Sequence, residues 1–301
     1  MLFWFYRDLP VCRNRLDLLR SNNPDLAVFG LYGGDPDDAP RFRAALEPHL
    51  DDFWAFDGPV AAKWKWLHGD LMLAAWYEAR GRNLVWDHVF VAQWDLLVLR
   101  PLRDLLPPLA PDEALLSAVR PVAALGDKWV WSNGGHEASY RACIAGIEAR
   151  FGPVEPQSCV FVIAGLPRRL LAAYADLPDP ETGYLEYRLP TLATAIGLRL
   201  VESEQFAAWR PADVAAGAPT RRQRFLNGSR RSIRFPTVMA ELARPSGARL
   251  FHPYHGLFPM SPAWAVRAPG WAVYTAARAG RKAVSTRAQR LLRGTAKQPH
   301  Q

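Results

Sequence analysis

Asp95 closes the segment Val91-Ala92-Gln93-Trp94-Asp95, directly after Leu84 to Val91, the most apolar run in the chain. A run apolar on both faces reads as a central strand buried on both sides, and ligands of open α/β sheets bind beyond the carboxyl ends of such strands. A carboxylate there is costly to desolvate unless it is paired, hydrogen-bonded or bound to a metal. A divalent cation bridging a nucleoside diphosphate would be such a partner, because magnesium and manganese favour hard oxygen ligands. Capping of the following turn accounts for Asp95 equally well. A second group is Arg221, Arg222, Arg224, Arg230, Arg231 and Arg234, which could clamp a diphosphate through bidentate contacts or form a solvated face. Gly33-Gly34-Asp35 lacks the GxGxxG spacing, which disfavours a dinucleotide cofactor. No G-x-S-x-G, H-E-x-x-H or Walker A sequence supports a hydrolase, a zinc protease or a phosphate-loop enzyme.

The elements that must position Asp95 alternate between strand and helix. Leu2 to Tyr6 has strand character, a helix is expected from about Arg13 to Arg20, and Asp25 to Tyr32 is a second strand ended by Gly33-Gly34-Asp35-Pro36. The alternation continues with a helix near Arg41 to Leu50, a short strand Phe53 to Phe56, and one helix from about Lys65 to Arg80 stopped by Gly81. After Asp95 the pattern gives strands at Leu115 to Val119, Val160 to Gly165 and Leu198 to Val201. Helices are expected at Glu137 to Arg150, Pro167 to Ala175 and Leu189 to Ile196, and a loop at Arg221 to Arg234. Repeated βαβ units imply a mostly parallel sheet with helices on its faces.

Half of the 301 residues are apolar, enough to bury one large core. No apolar stretch approaches the roughly 20 residues that cross a bilayer, and the first residues lack the basic start of a secretory signal. Cys12, Cys143 and Cys159 are odd in number and lack metal-ligand spacing, which argues against a disulfide framework and a zinc site. A reducing, cytoplasmic compartment is the expectation. The net charge of +8 belongs to the C-terminal end: ten Lys or Arg and no Asp or Glu follow Glu241, leaving 27 basic against 29 acidic residues in positions 1 to 241. Arg278, Arg281, Lys282, Arg287, Arg290 and Arg293 sit there among Ala, Val and Leu. A basic amphipathic helix on an anionic membrane surface stands beside disorder or a plain solvated helix. The aromatic residues are not interleaved with the basic ones, so a nucleic-acid surface is not expected.

In the order of these elements the chain resembles the GT-A glycosyltransferases. The residues that carry the resemblance are Trp66-Leu67-His68-Gly69-Asp70, Gly81, the run Leu84 to Val91, Gln93-Trp94-Asp95, and Gly183 to Thr191 with Gly197. That family holds its nucleotide-sugar and metal at an Asp-x-Asp motif after a hydrophobic strand. Asp95 matches the second carboxylate and Gln93 stands in place of the first, so the resemblance implies a diphosphate site whose manganese or magnesium is conditional. It further implies donor contacts from Arg7 and Asp8 after the first strand, from Asp70 on the helix before the motif, and from Gln93 and Trp94 within it. Each has a plainer reading, Arg7 with Asp8 as a surface ion pair and Asp70 as an exposed helix-start carboxylate favoured by the helix dipole. Glu186, ahead of the expected helix start at Pro190-Thr191, is the implied base that deprotonates the acceptor hydroxyl; a surface Glu paired with Arg188 or another basic residue is the alternative. His252, in Phe251-His252-Pro253-Tyr254-His255-Gly256, would complete the metal and diphosphate site, and His255 could serve instead.

The expected fold is therefore α/β: a GT-A-like (Rossmann-like), mostly parallel sheet flanked by helices. One large domain spans residues 1–265, with a basic, helical or partly disordered tail over 266–301. The implied activity is transfer of a sugar from a nucleotide-sugar donor to a hydroxyl of a glycan or lipid-linked glycan, with peripheral contact with the anionic inner face of a membrane. The alternative is a non-catalytic GT-A-like protein that binds nucleotide, nucleic acid or membrane through its basic tail.

Overall fold

The aromatic run Leu2–Phe5 forms the strand β1, and all four of its side chains are buried. Alternation along the strand divides them between two faces. Leu2 and Trp4 join a core with Met72, Trp76 and Val91, while Phe5 packs on Tyr32, Phe42 and Phe53. A strand that is apolar on both faces needs helices on both, and the rest of the chain supplies them.

A computed structural model of the chain describes residues 1–58, 61–208, 223–226 and 231–259. The chain divides into two compact units, Met1–His255 and Gly256–Gln301. The basic tail, and Arg221, Arg222 and Arg230 of the Arg-rich segment, lie outside the described residues. After β1 come α1 (Leu9–Asn22), β2 (Phe29–Tyr32), α2 (Ala39–Leu46), β3 (Asp52–Ala55), α3 (Ala62–Leu67), α4 (Gly69–Ala79) and β4 (His88–Gln93). The second half adds β5 (Leu97–Val98), β6 (Glu113–Pro121), α5 (Glu137–Phe151), β7 (Gln157–Pro167) and α6 (Arg168–Ala173). It continues through α7 (Leu185–Ala195), β8 (Arg199–Val201), α8 (Phe235–Leu242) and β9 (Leu250–Phe251).

Seven strands form one sheet in the order β3-β2-β1-β4-β7-β6-β8, with β7 antiparallel to both neighbours and the other pairings parallel. This is the mostly parallel, helix-flanked sheet that the βαβ pattern predicts. From β1 the chain steps outward through β2 to β3, then returns to lay β4 on the other side of β1, with Leu2 opposite Val91 and Trp4 opposite Gln93. Such a reversal is a topological switch point, and it opens a crevice beyond the carboxyl ends of β1 and β4. β5 and β9 pair separately as a short antiparallel ladder, Leu97 with Phe251 and Val98 with Leu250.

Several boundaries depart from the sequence-based expectation, and three of them bear on the site. The strand expected from Leu84 begins only at His88, after a turn of 3-10 helix at Gly81–Asn83, and Val85 is exposed to solvent. Trp86 leaves the sheet and lies against Trp76 and Tyr77, its Nε1 donating to Gly81 O at 2.9 Å. The single helix expected from Lys65 to Arg80 is interrupted at His68, and the break lets the start of α4 rest on β1. A Cβ at Gly69 would stand 2.3 Å from the Trp4 ring, so only glycine permits that approach. The helix expected from Leu189 starts at Leu185, which puts Glu186 in its first turn and Pro190 inside it. Pro190 lacks the N–H that would bond the Glu186 carbonyl in a continuous helix. Cys12, Cys143 and Cys159 are buried free thiols, and among the described residues no helix is long and apolar enough to cross a membrane.

Candidate functional site

Asp95 follows β4 at the switch point, is 8% exposed, and faces two imidazoles. His252 Nε2 lies 3.3 Å from Oδ1 and His255 Nε2 lies 3.3 Å from Oδ2. Oδ1 makes no aligned hydrogen bond among the described residues. The histidines arrive because the β5–β9 ladder draws the late segment back to β4: the Leu99 N–H donates to Arg249 O at 2.9 Å and the Tyr254 N–H to Asp95 O at 2.8 Å. Their own backbones are anchored too, the His252 N–H on Phe225 O at 2.7 Å and the His255 N–H on Ser232 Oγ at 2.9 Å. From α1, Arg15 donates to Tyr254 O at 2.7 Å and lies over the Tyr254 ring. Burial would raise the Asp95 carboxyl, but the attraction of His252 and His255 outweighs it and holds the group well below the usual carboxylate range. Burial pulls Arg15 down to about 10, with Tyr254 and Asp95 opposing, so it remains cationic at neutral pH.

Trp94 carries a stack. The His255 ring lies parallel to it, within 8° at 5.5 Å, and the Arg7 guanidinium sits 4.9 Å from its centroid with Tyr6 meeting it edge-on. Asp8 begins α1 in the left-handed region, φ 63°, a conformation that Asp tolerates better than most residues. The buried Nε1 atoms of Trp94 and Trp4 have no hydrogen-bond partner among the described residues. Buried polar atoms are ordinarily paired, so Trp94 Nε1 and Asp95 Oδ1, on the two residues just past the end of β4, are candidates to meet a polar ligand in the crevice.

Gln93 and Glu186 meet at one residue of β7. Gln93 Nε2 donates to Phe161 O at 2.6 Å, and the Phe161 N–H donates to Glu186 Oε1 at 3.2 Å. Asp70 stands behind them in the core, not on the surface: it is 0% exposed and its oxygens accept from Arg188 Nε at 2.8 Å, Arg188 Nη2 at 2.5 Å and the Tyr174 hydroxyl at 2.7 Å. The reading of Asp70 as an exposed helix-start carboxylate is thereby corrected, as is the pairing of Arg188 with Glu186. Burial disfavours the Arg188 charge, but Asp70 outweighs it and holds the guanidinium protonated. Arg7, Asp8, Gln93, Trp94, Asp95, Glu186, His252 and His255 thus gather at the carboxyl ends of the strands, whereas Asp70 serves them from the interior.

The sequence reasoning passed over Arg15 and Lys65. Arg15 lies on the face of α1 that buries Val11, Leu18 and Leu19, and a charge on an apolar face is the signal that could have found it. Lys65 is buried and donates to Gly34 O at the end of β2; burial lowers its pKa, with Asp35 opposing.

In overall shape the chain matches the galactosyltransferase LgtC, solved in complex with donor and acceptor sugar analogs, at 12% identity and a TM-score of 0.41, over 73% of this chain and 79% of that one. It matches the mannosyltransferase PcManGT from Pyrobaculum calidifontis, solved with GDP-Man and Mn2+, at 16% identity and a TM-score of 0.39, over 67% of this chain and 53% of that one. It matches the bifunctional glycosyltransferase WbbM at 11% identity and a TM-score of 0.43, over 84% of this chain and 45% of that one. The solved structures it resembles are glycosyltransferases. No protein-family profile matches the chain, and no curated protein matches it in sequence.

Among the described residues no group of three or more His, Cys, Asp or Glu side chains could hold a metal ion alone. Asp95 and His252 fit part of such a site, as a buried carboxylate oxygen 3.3 Å from an imidazole nitrogen. Magnesium at a diphosphate needs little more, because it takes few protein ligands and completes its shell with phosphate oxygens and water.

Proposed function

We propose that the chain transfers a sugar from a nucleotide-sugar donor to a hydroxyl of a glycan or lipid-linked glycan. Asp95 carries the reading: a buried carboxylate at the switch point, faced by two imidazoles, with one oxygen lacking an aligned hydrogen bond. Arg7, exposed and resting on the buried Trp94 ring, binds the nucleotide with Trp94 as its support, and Asp8 and Gln93 contact it beside them. Asp95 and His252 would hold manganese or magnesium, which when bound offsets the negative charge gathering on the departing diphosphate. Glu186 accepts the proton of the attacking hydroxyl as the acceptor oxygen bonds to the anomeric carbon and the bond from that carbon to the diphosphate breaks. The Phe161 N–H orients the Glu186 carboxylate, and the Asp70–Arg188 pair fixes the helical turn that bears it.

Thermal-shift titration with uridine, guanosine and deoxythymidine diphosphates and their sugars, with and without manganese, tests the reading. A shift is expected with at least one donor and is lost in Asp95→Asn; Glu186→Gln keeps the shift and loses transfer. No shift with any of them, or unchanged turnover in both variants, overturns it. The ten basic residues after Glu241 suit contact with an anionic membrane that carries a lipid-linked acceptor. Co-sedimentation with anionic liposomes that survives deletion of residues 270–301 refutes that part.

A further inference from the structure

Trp66, Trp131 and Tyr184 come from three separate places, the end of α3, the loop after β6 and the residue before α7, and meet in space. Trp131 lies on Tyr184 with ring centroids 4.3 Å apart and planes at 32°. Trp66 stands 5.1 Å from Trp131 at 65° and 5.6 Å from Tyr184. The two indoles therefore form a corner of aromatic planes, with the His136 ring 4.6 Å from Trp131. Tyr184 is 5% exposed, but Trp66 is 48% exposed and Val130, beside Trp131, is 59% exposed. Gly183 sets the approach of Tyr184, with φ at 102° and room for no Cβ, which would meet Cys143 at 2.8 Å. Keeping so much aromatic surface in water is unfavourable, and clustered exposed apolar surface marks a place where something binds. Tyr184 is two residues from Glu186, so their Cα atoms lie within about 7 Å.

We propose that Trp66 and Trp131, backed by the buried Tyr184, form the acceptor subsite, stacking on a pyranose ring of the acceptor glycan. The inference rests on the glycosyltransferase reading and names the surface that recognises its second substrate. A pyranose ring presents a face of C–H bonds that is apolar and slightly positive, which the negative face of an aromatic ring attracts. Its hydroxyls radiate from the edge and need polar partners. His136 lies against Trp131, so the corner has such a group at its edge. An acyl chain would be served instead by apolar surface on every side. The position next to Glu186 gives the stacked sugar, or the one following it, a hydroxyl within reach of the base.

A glycan array probed with the full chain, in the presence of the nucleoside diphosphate that gives the largest thermal shift, tests the inference against Trp66→Ala and Trp131→Ala. Wild type is expected to bind a subset of glycans and each variant to bind them about tenfold more weakly, with an unchanged nucleotide-induced thermal shift. Binding that is equal in wild type and variants overturns the proposal, and so does a wild type that binds nucleotide and no glycan, which leaves the donor reading standing. Glycan binding that depends on Trp66 without any nucleotide-induced shift sinks the transferase reading and keeps the carbohydrate site. Loss of binding to anionic phospholipid vesicles in the two variants, with no change on the array, assigns the corner to lipid and refutes the proposal.

Discussion

Arg188→Met tests how the first turn of α7 is held in place. Arg188 is 1% exposed and Asp70 0%, and two guanidinium–carboxylate hydrogen bonds join them. Removing the guanidinium leaves the carboxylate in the core with the Tyr174 hydroxyl, and also removes the bond from Arg188 Nη1 to Thr182 O at 3.1 Å. Breaking one side of a buried pair costs roughly 3–5 kcal/mol, because a charge is left without compensation. For a chain of 301 residues each kcal/mol moves the midpoint by about 1.5–2 °C, so Tm should fall by roughly 5–10 °C. Thermal unfolding followed by circular dichroism reads the change. Replacing both partners, Asp70→Leu with Arg188→Met, removes both charges, and apolar replacement of a buried pair is often close to neutral. What remains are the stranded Tyr174 hydroxyl, at about 1–3 kcal/mol, and the lost bond to Thr182 O, so the double variant should recover part of the loss. With Asp70→Leu alone the set completes a double-mutant cycle. A fall below about 2 °C in Arg188→Met, or a double variant as unstable as the two singles summed, would refute the pair as the anchor of α7.

His68 supplies a pH-dependent expectation. Burial, then Arg188, lowers its pKa from 6.5, with Asp70 and Glu181 opposing. Below pH 6.5 the unfolded chain therefore binds more protons than the folded one, and stability falls on acidification through that window. His68→Gln should flatten the dependence of the urea midpoint on pH there; an identical slope in the variant contradicts the assignment. Gly69→Ala would place a Cβ 2.3 Å from Trp4 Cη2, and despite the better helix propensity of alanine it should lose about 1–3 kcal/mol through overpacking. A raised Tm would show that α4 does not need the close approach. Gln93→Glu should lower both Tm and transfer and bring no gain in manganese affinity measured by calorimetry; tighter manganese binding with retained activity would count against the role assigned to the amide.

The alternation of strands and helices was legible because it rests on local pattern, and the position of Asp95 at a strand end followed from it. What was not legible depends on residues distant in sequence. Helical spacing runs unbroken through His68, and the break before Gly69 makes sense only once the Trp4 ring is seen against it. Leu84-Val85-Trp86 has strand composition, yet Trp86 finds its apolar partners in Trp76 and Tyr77 on α4 instead of in the sheet. Pro190-Thr191 carries the local signature of a helix start. The helix nevertheless begins earlier, where Arg188 is fastened to Asp70 across 118 residues of sequence. At the site, residue type and position pointed to Asp95 and the resemblance to Glu186 and His252, but the ladder that carries the histidines home is only the two pairs of β5 and β9, too short to be seen in any periodicity.

Gln93 shows why one motif position departs from the carboxylate that the resemblance implies. Its Nε2 donates to Phe161 O at 2.6 Å, and the amide orientation is forced, since the alternative would set two acceptor oxygens against each other. A carboxylate at position 93 has no proton to donate at neutral pH and would repel that carbonyl. The same residue, Phe161, gives its N–H to Glu186. Loss of the amide bond would therefore loosen the strand residue that orients the proposed base. The amide exchanges a second negative charge beside Asp95 for a link between the proposed donor side of the crevice and the proposed acceptor side. With a single carboxylate left at the motif, Asp95 has to be balanced from elsewhere, and the two imidazoles from the far end of the chain do so, with Arg15 adding a buried cation behind them.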